Sequence, residues 1–200
     1  MITEKDTIKC EAVFSEDKAH RLLWKRVWNK DKPIACVISL NPALSDTIVT
    51  DTTTSLVVNN IAKLGEFGGV SIVNLFSLLT PKLHMQRARD IDINDLDNDN
   101  YIKKAADEAS VIILAWGRAG DTNVRIYNRA DQVIALLKNH QEKFRVITDG
   151  NRVALHPLTP SVRAKWVLVD AKEWLDSRTP LSNKEDTATA KSTEKSNVDT

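Results

Sequence analysis

Four apolar runs, each about the length of a strand and each closed by a polar residue or glycine, limit how this chain can fold. The first is Ile34-Ala35-Cys36-Val37-Ile38-Ser39-Leu40, stopped by Asn41-Pro42. The second, Val70 to Phe76, carries Asn74 inside it; the third, Val111 to Trp116, ends at Gly117; the fourth, Lys143 to Thr148, ends at Asp149-Gly150. Short runs of this kind, rich in β-branched residues, read as strands buried on both faces. Helical patterns lie between them: Thr52 to Leu64 behind Asp51 as N-cap, about Asp99 to Ala109, and Asn123 to Lys138. Alternating strands and helices are the pattern of right-handed βαβ crossovers, which build a largely parallel sheet with helices on both faces. In such sheets ligands bind at the carboxyl ends of the strands. Pro42 fixes its own backbone and pushes Asn41 out of the helical region, so a carboxamide is held at the end of a central strand. The same residues also describe an ordinary strand-ending turn.

The remaining chain fits around these elements. Lys9 to Phe14 and His20 to Trp28 flank the polar turn Ser15-Glu16-Asp17-Lys18 and are expected to pair as an N-terminal hairpin on an edge of the sheet. The second arm reads two ways, since it partly alternates like a strand while Trp24 and Trp28 sit at a helical i, i+4 spacing. Its tryptophans and basic residues describe either a core edge with solvated charges or an aromatic-basic surface. Gly65, Gly68 and Gly69 follow a helix and precede a strand, the reverse of a dinucleotide fingerprint, and serve as punctuation. Pro81 to Asn100 is polar and reads as a solvated loop. Its acidic series Asp90, Asp92, Asp95, Asp97 and Asp99 lacks the central glycine and terminal glutamate of a calcium loop, so no metal is assigned. Ala164 to Leu175 adds a short strand or helix, with Trp166 and Trp174 packing back. From Asp176 to Thr200 large apolar residues are almost absent, and a disordered polar tail is expected. The folded unit is thus a single α/β domain over 8–175.

A net charge of +1, from 28 basic and 27 acidic residues, gives no whole-protein attraction to nucleic acid or anionic membranes, so any nucleic-acid partner must be recognised by a site. Cys10 and Cys36 have no metal-like spacing, and Cys36 reads as a core residue. No signal core or membrane-length run is evident, which predicts a cytoplasmic protein with no membrane partner. No cofactor is expected.

Taken in order, Arg21 with Trp24 and Trp28, Leu40-Asn41-Pro42, Asp51 before Thr53, Gly65 with Gly68-Gly69, Val73-Asn74-Leu75-Phe76, Ala115-Trp116-Gly117, Asp149-Gly150 and His156-Pro157-Leu158 resemble the bacterial and phage domain-of-unknown-function family 1643. Ala43-Leu44-Ser45 and Thr159 depart from that family's usual Ser-Thr-Ala and Tyr. The order of motifs is also similar to that of the uracil-DNA glycosylase superfamily. Asn41-Pro42-Ala43-Leu44-Ser45 resembles the Asn-Pro-Gly-Leu-Ser motif of its mismatch-specific branch, Asn74 stands where a base-reading Asn ends a second strand, and Leu114-Ala115-Trp116-Gly117 and His156-Pro157 echo its Leu-Trp-Gly and His-Pro-Ser segments.

The second resemblance implies a three-layer α/β sandwich, uracil-DNA-glycosylase-like, and a nucleobase-recognising hydrolase that cleaves an N-glycosidic bond. Asn41 and His156 would be catalytic; Pro42, Asp51, Asn74, Phe76, Trp116, Gly117, Arg118 and Leu158 would contact substrate. Bond cleavage puts negative charge on the departing base, so such a site needs donors aimed at the base and a positioned water. A base within DNA must be flipped out or already single-stranded. Possible partners are DNA or a nucleoside or nucleotide. No Asp/Glu–His pair or activated nucleophile is visible, which keeps a non-catalytic nucleotide or nucleic-acid-binding module and an unrelated small-molecule enzyme open. Sequence says nothing of oligomeric state.

Overall fold

A computed structural model describes residues 1–81, 83 and 89–179. Its strands are β1 (Lys9–Phe14), β2 (Arg21–Val27), β3 (Ile34–Ser39), β4 (Gly69–Asn74), β5 (Val111–Leu114), β6 (Phe144–Thr148) and β7 (Val167–Asp170). The helices are α1 (Thr52–Leu64), α2 (Asp90–Ile93), α3 (Asn98–Glu108), α4 (Ala119–Thr122), α5 (Val124–Leu136) and α6 (Lys172–Ser177). The strands form a seven-stranded sheet in the order β1-β2-β4-β3-β5-β6-β7. Its centre, β4-β3-β5-β6, is parallel, as the four apolar runs predict. Both flanks are antiparallel: the hairpin joins through β2 to β4, and β7 returns along β6.

Side chains alternate across β3 and divide the core into two layers. Cys36 and Ile38 pack with Ile102 of α3 and Ala130 and Val133 of α5, whereas Ala35 and Val37 pack with Trp24 and with Val57 and Ile61 of α1. The ambiguous second arm is a strand because Trp24, fully buried, belongs to that second layer, and Trp28 donates its indole N–H to the Phe67 carbonyl at 3.1 Å. A Cβ at Gly68 would sit 1.8 Å from the Asn29 carbonyl oxygen, so only glycine lets the chain enter β4 against the end of β2. Residues 164–175 contain both alternatives read from sequence, β7 followed by the start of α6, and both Trp166 and Trp174 are buried.

The segment read as a solvated polar loop differs from expectation. Residues 90–93 form α2, Ile93 is fully buried, and Asn98 opens α3 from a buried position. Its side-chain Nδ2 donates to the carbonyl of Asn74 at 3.0 Å and to Asn94 Oδ1 at 2.8 Å, so the polar residue serves the end of β4 rather than solvent. Lys82 and 84–88 of that segment, and 180–200 of the expected tail, lie outside the described residues. Among the described residues no helix is long and apolar enough to cross a membrane.

Candidate functional site

The carboxyl ends of β3 and β4 open on the α1 face into a cavity of about 170 Å³. The two strands pair with Ser39 opposite Asn74, so both side chains continue the face that begins with Val37 and Ile72. Beyond the ladder, Leu75 N–H still donates to the Ser39 carbonyl at 2.9 Å and Phe76 N–H to the Leu40 carbonyl at 3.0 Å. Asn74 Oδ1 accepts from Arg21 Nη2 at 3.3 Å, and its Nδ2 has no protein partner among the described residues. From the opposite layer, Arg129 Nε donates to the Leu75 carbonyl at 2.8 Å while its guanidinium pairs with Asp99. Together with Asn98, this holds the end of β4 from below.

Asn41 lines the cavity from the end of β3. Its Nδ2 donates to the carbonyls of Thr80, at 2.9 Å, and Pro42, at 3.1 Å. Two carbonyl partners fix the orientation of the amide and leave Oδ1 as the group able to accept from a water. The Pro42 carbonyl in turn accepts from Thr80 N–H at 3.2 Å, tying the segment after β3 to the one after β4.

His156 enters from the loop beyond β6. Its Nδ1 accepts from Leu158 N–H at 3.1 Å, which makes Nδ1 the unprotonated nitrogen and puts the ring proton on Nε2. Burial lowers the imidazole pKa below its ordinary value, so the ring is neutral at pH 7 and donates through Nε2–H. The loop is fixed at both ends. Leu155 N–H donates to the Ile147 carbonyl at 3.1 Å, and Asp149 Oδ2 accepts from Ser161 Oγ at 2.7 Å and Arg152 Nη2 at 2.6 Å. Gly117 has φ +69°, and a Cβ there would stand 2.7 Å from the Cβ of His156. A glycine at the end of β5 therefore admits the histidine loop.

Asp51, also on the cavity wall, is committed to α1. Its Oδ1 accepts from Thr53 N–H at 2.7 Å and Thr54 N–H at 3.1 Å, and Oδ2 accepts from Thr54 Oγ1 at 2.6 Å. Burial raises its pKa, but these hydrogen bonds and the charge of Arg21 outweigh that and hold it below the ordinary carboxylate value.

Sequence reasoning did not assign a role at the site to Arg21 or Ser39. Arg21 is only 2% exposed; Nη1 donates to Ser45 Oγ at 2.5 Å and, among the described residues, Nε has no hydrogen-bond partner. Burial, opposed by the charge of Asp51, lowers its pKa to about 10, so it remains a cation at pH 7. Ser39 Oγ is buried and likewise without a hydrogen-bond partner among the described residues. The signal for both lay in position: a serine closing an apolar strand, and an arginine opening one ahead of Leu22-Leu23. With Trp24, whose indole N–H donates to the Asp46 carbonyl at 2.8 Å, Arg21 also pins the segment that follows Pro42.

The structure thus brings Asn41, Asp51, Asn74, His156 and Leu158 to one cavity. Pro42 and Gly117 are buried and shape it from behind. Phe76 and Trp116 do not line it: Phe76 is buried beside a separate recess near Arg129, and Trp116 packs at 6.0 Å against Trp174 in the α5 layer. Trp116 continues the alternation of Ile112 and Leu114 away from α1, whereas Phe76, two residues past the end of β4, breaks the alternation and joins Leu75 in the layer opposite α1. Arg118 is exposed and borders a different recess with Asp121 and Arg178.

No curated protein and no solved structure matches the chain. The sequence model of DUF1643, a protein family of unknown function, matches residues 21–158, which run from the buried arginine of β2 to the leucine at the cavity mouth. The chain belongs to the DUF1643 family.

Proposed function

We propose that the cavity binds a nucleobase and that the protein is a nucleobase-recognising hydrolase, cleaving an N-glycosidic bond with a water held by Asn41, in the manner of uracil-DNA glycosylases. One observation carries the reading: Asn41, Asn74 and His156, contributed by separate strand ends, line a single cavity. At about 170 Å³ the cavity falls below the several hundred Å³ typical of drug-sized ligands and suits one ring rather than a dinucleotide. Asn74 Nδ2 and His156 Nε2–H are donors for acceptor atoms on a base, and negative charge developing there as the bond breaks strengthens both contacts. Asn41 Oδ1 orients the water without deprotonating it. Asp51 is no substitute base, since its oxygens hold the start of α1, so turnover is slow compared with an enzyme using a free carboxylate.

The same commitment of Asp51 favours, as a second reading, a nucleotide or nucleic-acid-binding module without catalysis. Uracil-, mismatch- and modified-base oligonucleotides, single- and double-stranded, scored for abasic-site formation, separate the two. Cleavage is expected, with Asn41→Ala lowering turnover more than binding and His156→Ala reducing the rate by roughly 100-fold. Binding of single strands with no cleavage of any substrate selects the module; neither binding nor cleavage ends both readings.

A further inference from the structure

Base recognition as set out above gives Arg21 no task. Its guanidinium is buried, and its hydrogen bonds go to neutral oxygens, Ser45 Oγ and Asn74 Oδ1, with Nε unpartnered. Among the described residues no carboxylate forms an ion pair with it. Asp51 acts on it through its field, but the carboxylate is bonded to the N–H groups and hydroxyl of Thr53 and Thr54. A charge taken out of water is retained when something compensates it, and hydrogen bonds to neutral groups compensate only in part.

Around this cation the cavity floor offers donors. Ser39 Oγ is buried without a partner beside Asn74, its register neighbour in β4. Asn74 turns its oxygen to Arg21 and has its N–H groups free of protein partners among the described residues. Arg21, Ser39 and Asn74 all line one cavity, and a guanidinium, a hydroxyl and an amide N–H set together there call for a ligand that brings acceptors and negative charge. We propose that this floor is an oxyanion receptor in which Arg21 supplies the charge and Ser39 and Asn74 the hydrogen bonds, so that the ligand carries a phosphate- or carboxylate-type group. This rests on the cavity being the binding site, as in the proposed function, and holds whether or not a glycosidic bond is cleaved there.

The test uses the full chain, with inorganic phosphate, acetate and a nucleoside 5′-monophosphate as probes and chloride at matched ionic strength as control. Thermal melting and calorimetric titration are expected to show saturable stabilisation by an oxyanion above chloride. A larger effect of phosphate and of the nucleotide assigns a phosphate-type ligand, and a larger effect of acetate a carboxylate-type one. Arg21→Met should weaken binding roughly tenfold or more, the worth of one charge-assisted hydrogen bond, and Ser39→Ala about fivefold. Ser39→Ala breaks no protein hydrogen bond among the described residues, so that variant carries the test if Arg21→Met does not fold. No saturable effect of any oxyanion, or equal binding in wild type and Ser39→Ala, marks an adventitious ion only and overturns the proposal. Base cleavage by the wild type without saturable oxyanion binding sinks the receptor and spares the hydrolase; oxyanion binding without cleavage does the opposite.

Discussion

Asn74 divides its amide between structure and ligand, and that division makes its substitutions informative. Its oxygen serves Arg21 and its backbone carbonyl serves Asn98, while Nδ2 has no protein partner among the described residues. Asn74→Asp places a carboxylate against the buried guanidinium. The expected result is a melting temperature no lower than wild type, because Arg21 gains an ion-pair partner, together with loss of base and oxyanion binding. Ser45→Ala acts in the opposite direction, leaving Nη1 without an acceptor at a cost of about 1–3 kcal/mol in urea denaturation. Of these residues, Asn41, Asn74 and His156 were legible in the sequence because each sits where a strand stops or just beyond. Arg21 was not, because its neighbours Lys25 and Arg26 make it look like one of several solvated charges, and only the fold shows that it is buried. Trp116 was misplaced because adjacency to a motif does not say which face of a strand a side chain takes, and Phe76 because alternation stops where β4 ends.

Among the elements, α1 and the histidine loop each hang on one aspartate. Asp51 satisfies two backbone N–H groups at the start of α1, and Asp51→Ala is expected to cost about 1 kcal/mol in chemical denaturation. Asp149 takes hydrogen bonds from Ser161 and then Arg152, which hold its carboxyl well below the usual range. Its folded pKa lies below its unfolded one, so its contribution to stability is complete above about pH 4 and is lost as pH falls further. Acid titration should therefore show wild type more stable than Asp149→Asn at pH 6, with the gap closing in stronger acid; a gap that persists unchanged would show that the charge is not what holds the loop. The central strands were legible because four runs of similar length alternate with helices, and α1 because its cap precedes a helical face. The start of α3 was read to within one residue, but the inward side chain of Asn98 and the buried side of α2 were not, since an acidic, Asn-rich stretch gives no hint that Asn98 reaches under β4.

At the scale of the molecule, the antiparallel flanks close what the parallel centre leaves open, and the far flank depends on the end of the chain. Trp174 of α6 packs on Trp116, and Arg178 stacks over Tyr127 at 4.4 Å and Trp174 at 5.1 Å while pairing with Asp131 at 3.0 Å. A chain ending at Thr179 should melt with the full-length protein, whereas one ending at Ala171 should melt several degrees lower, as expected when about 1–2 kcal/mol of packing is removed from a domain this size. Differential scanning calorimetry of the two truncations decides the matter.

The pairing of Ser39 with Asn74 has a consequence for the lengths this chain can tolerate. In a sheet, a slip of one residue turns every side chain to the other face. One insertion within β4 would carry Asn74 away from Arg21 and into the aliphatic layer against α3, and a deletion within β3 would do the same to Ser39. Residues 43–50 are held through Ser45, the Asp46 carbonyl and Thr50 Oγ1, which hydrogen-bonds Ser55 Oγ of α1, and can lengthen or shorten between Asp46 and Thr50 without disturbing the pair. Natural variation in length should therefore collect in that segment and spare the two strands, so that relatives with different loops still present the same serine and asparagine side by side.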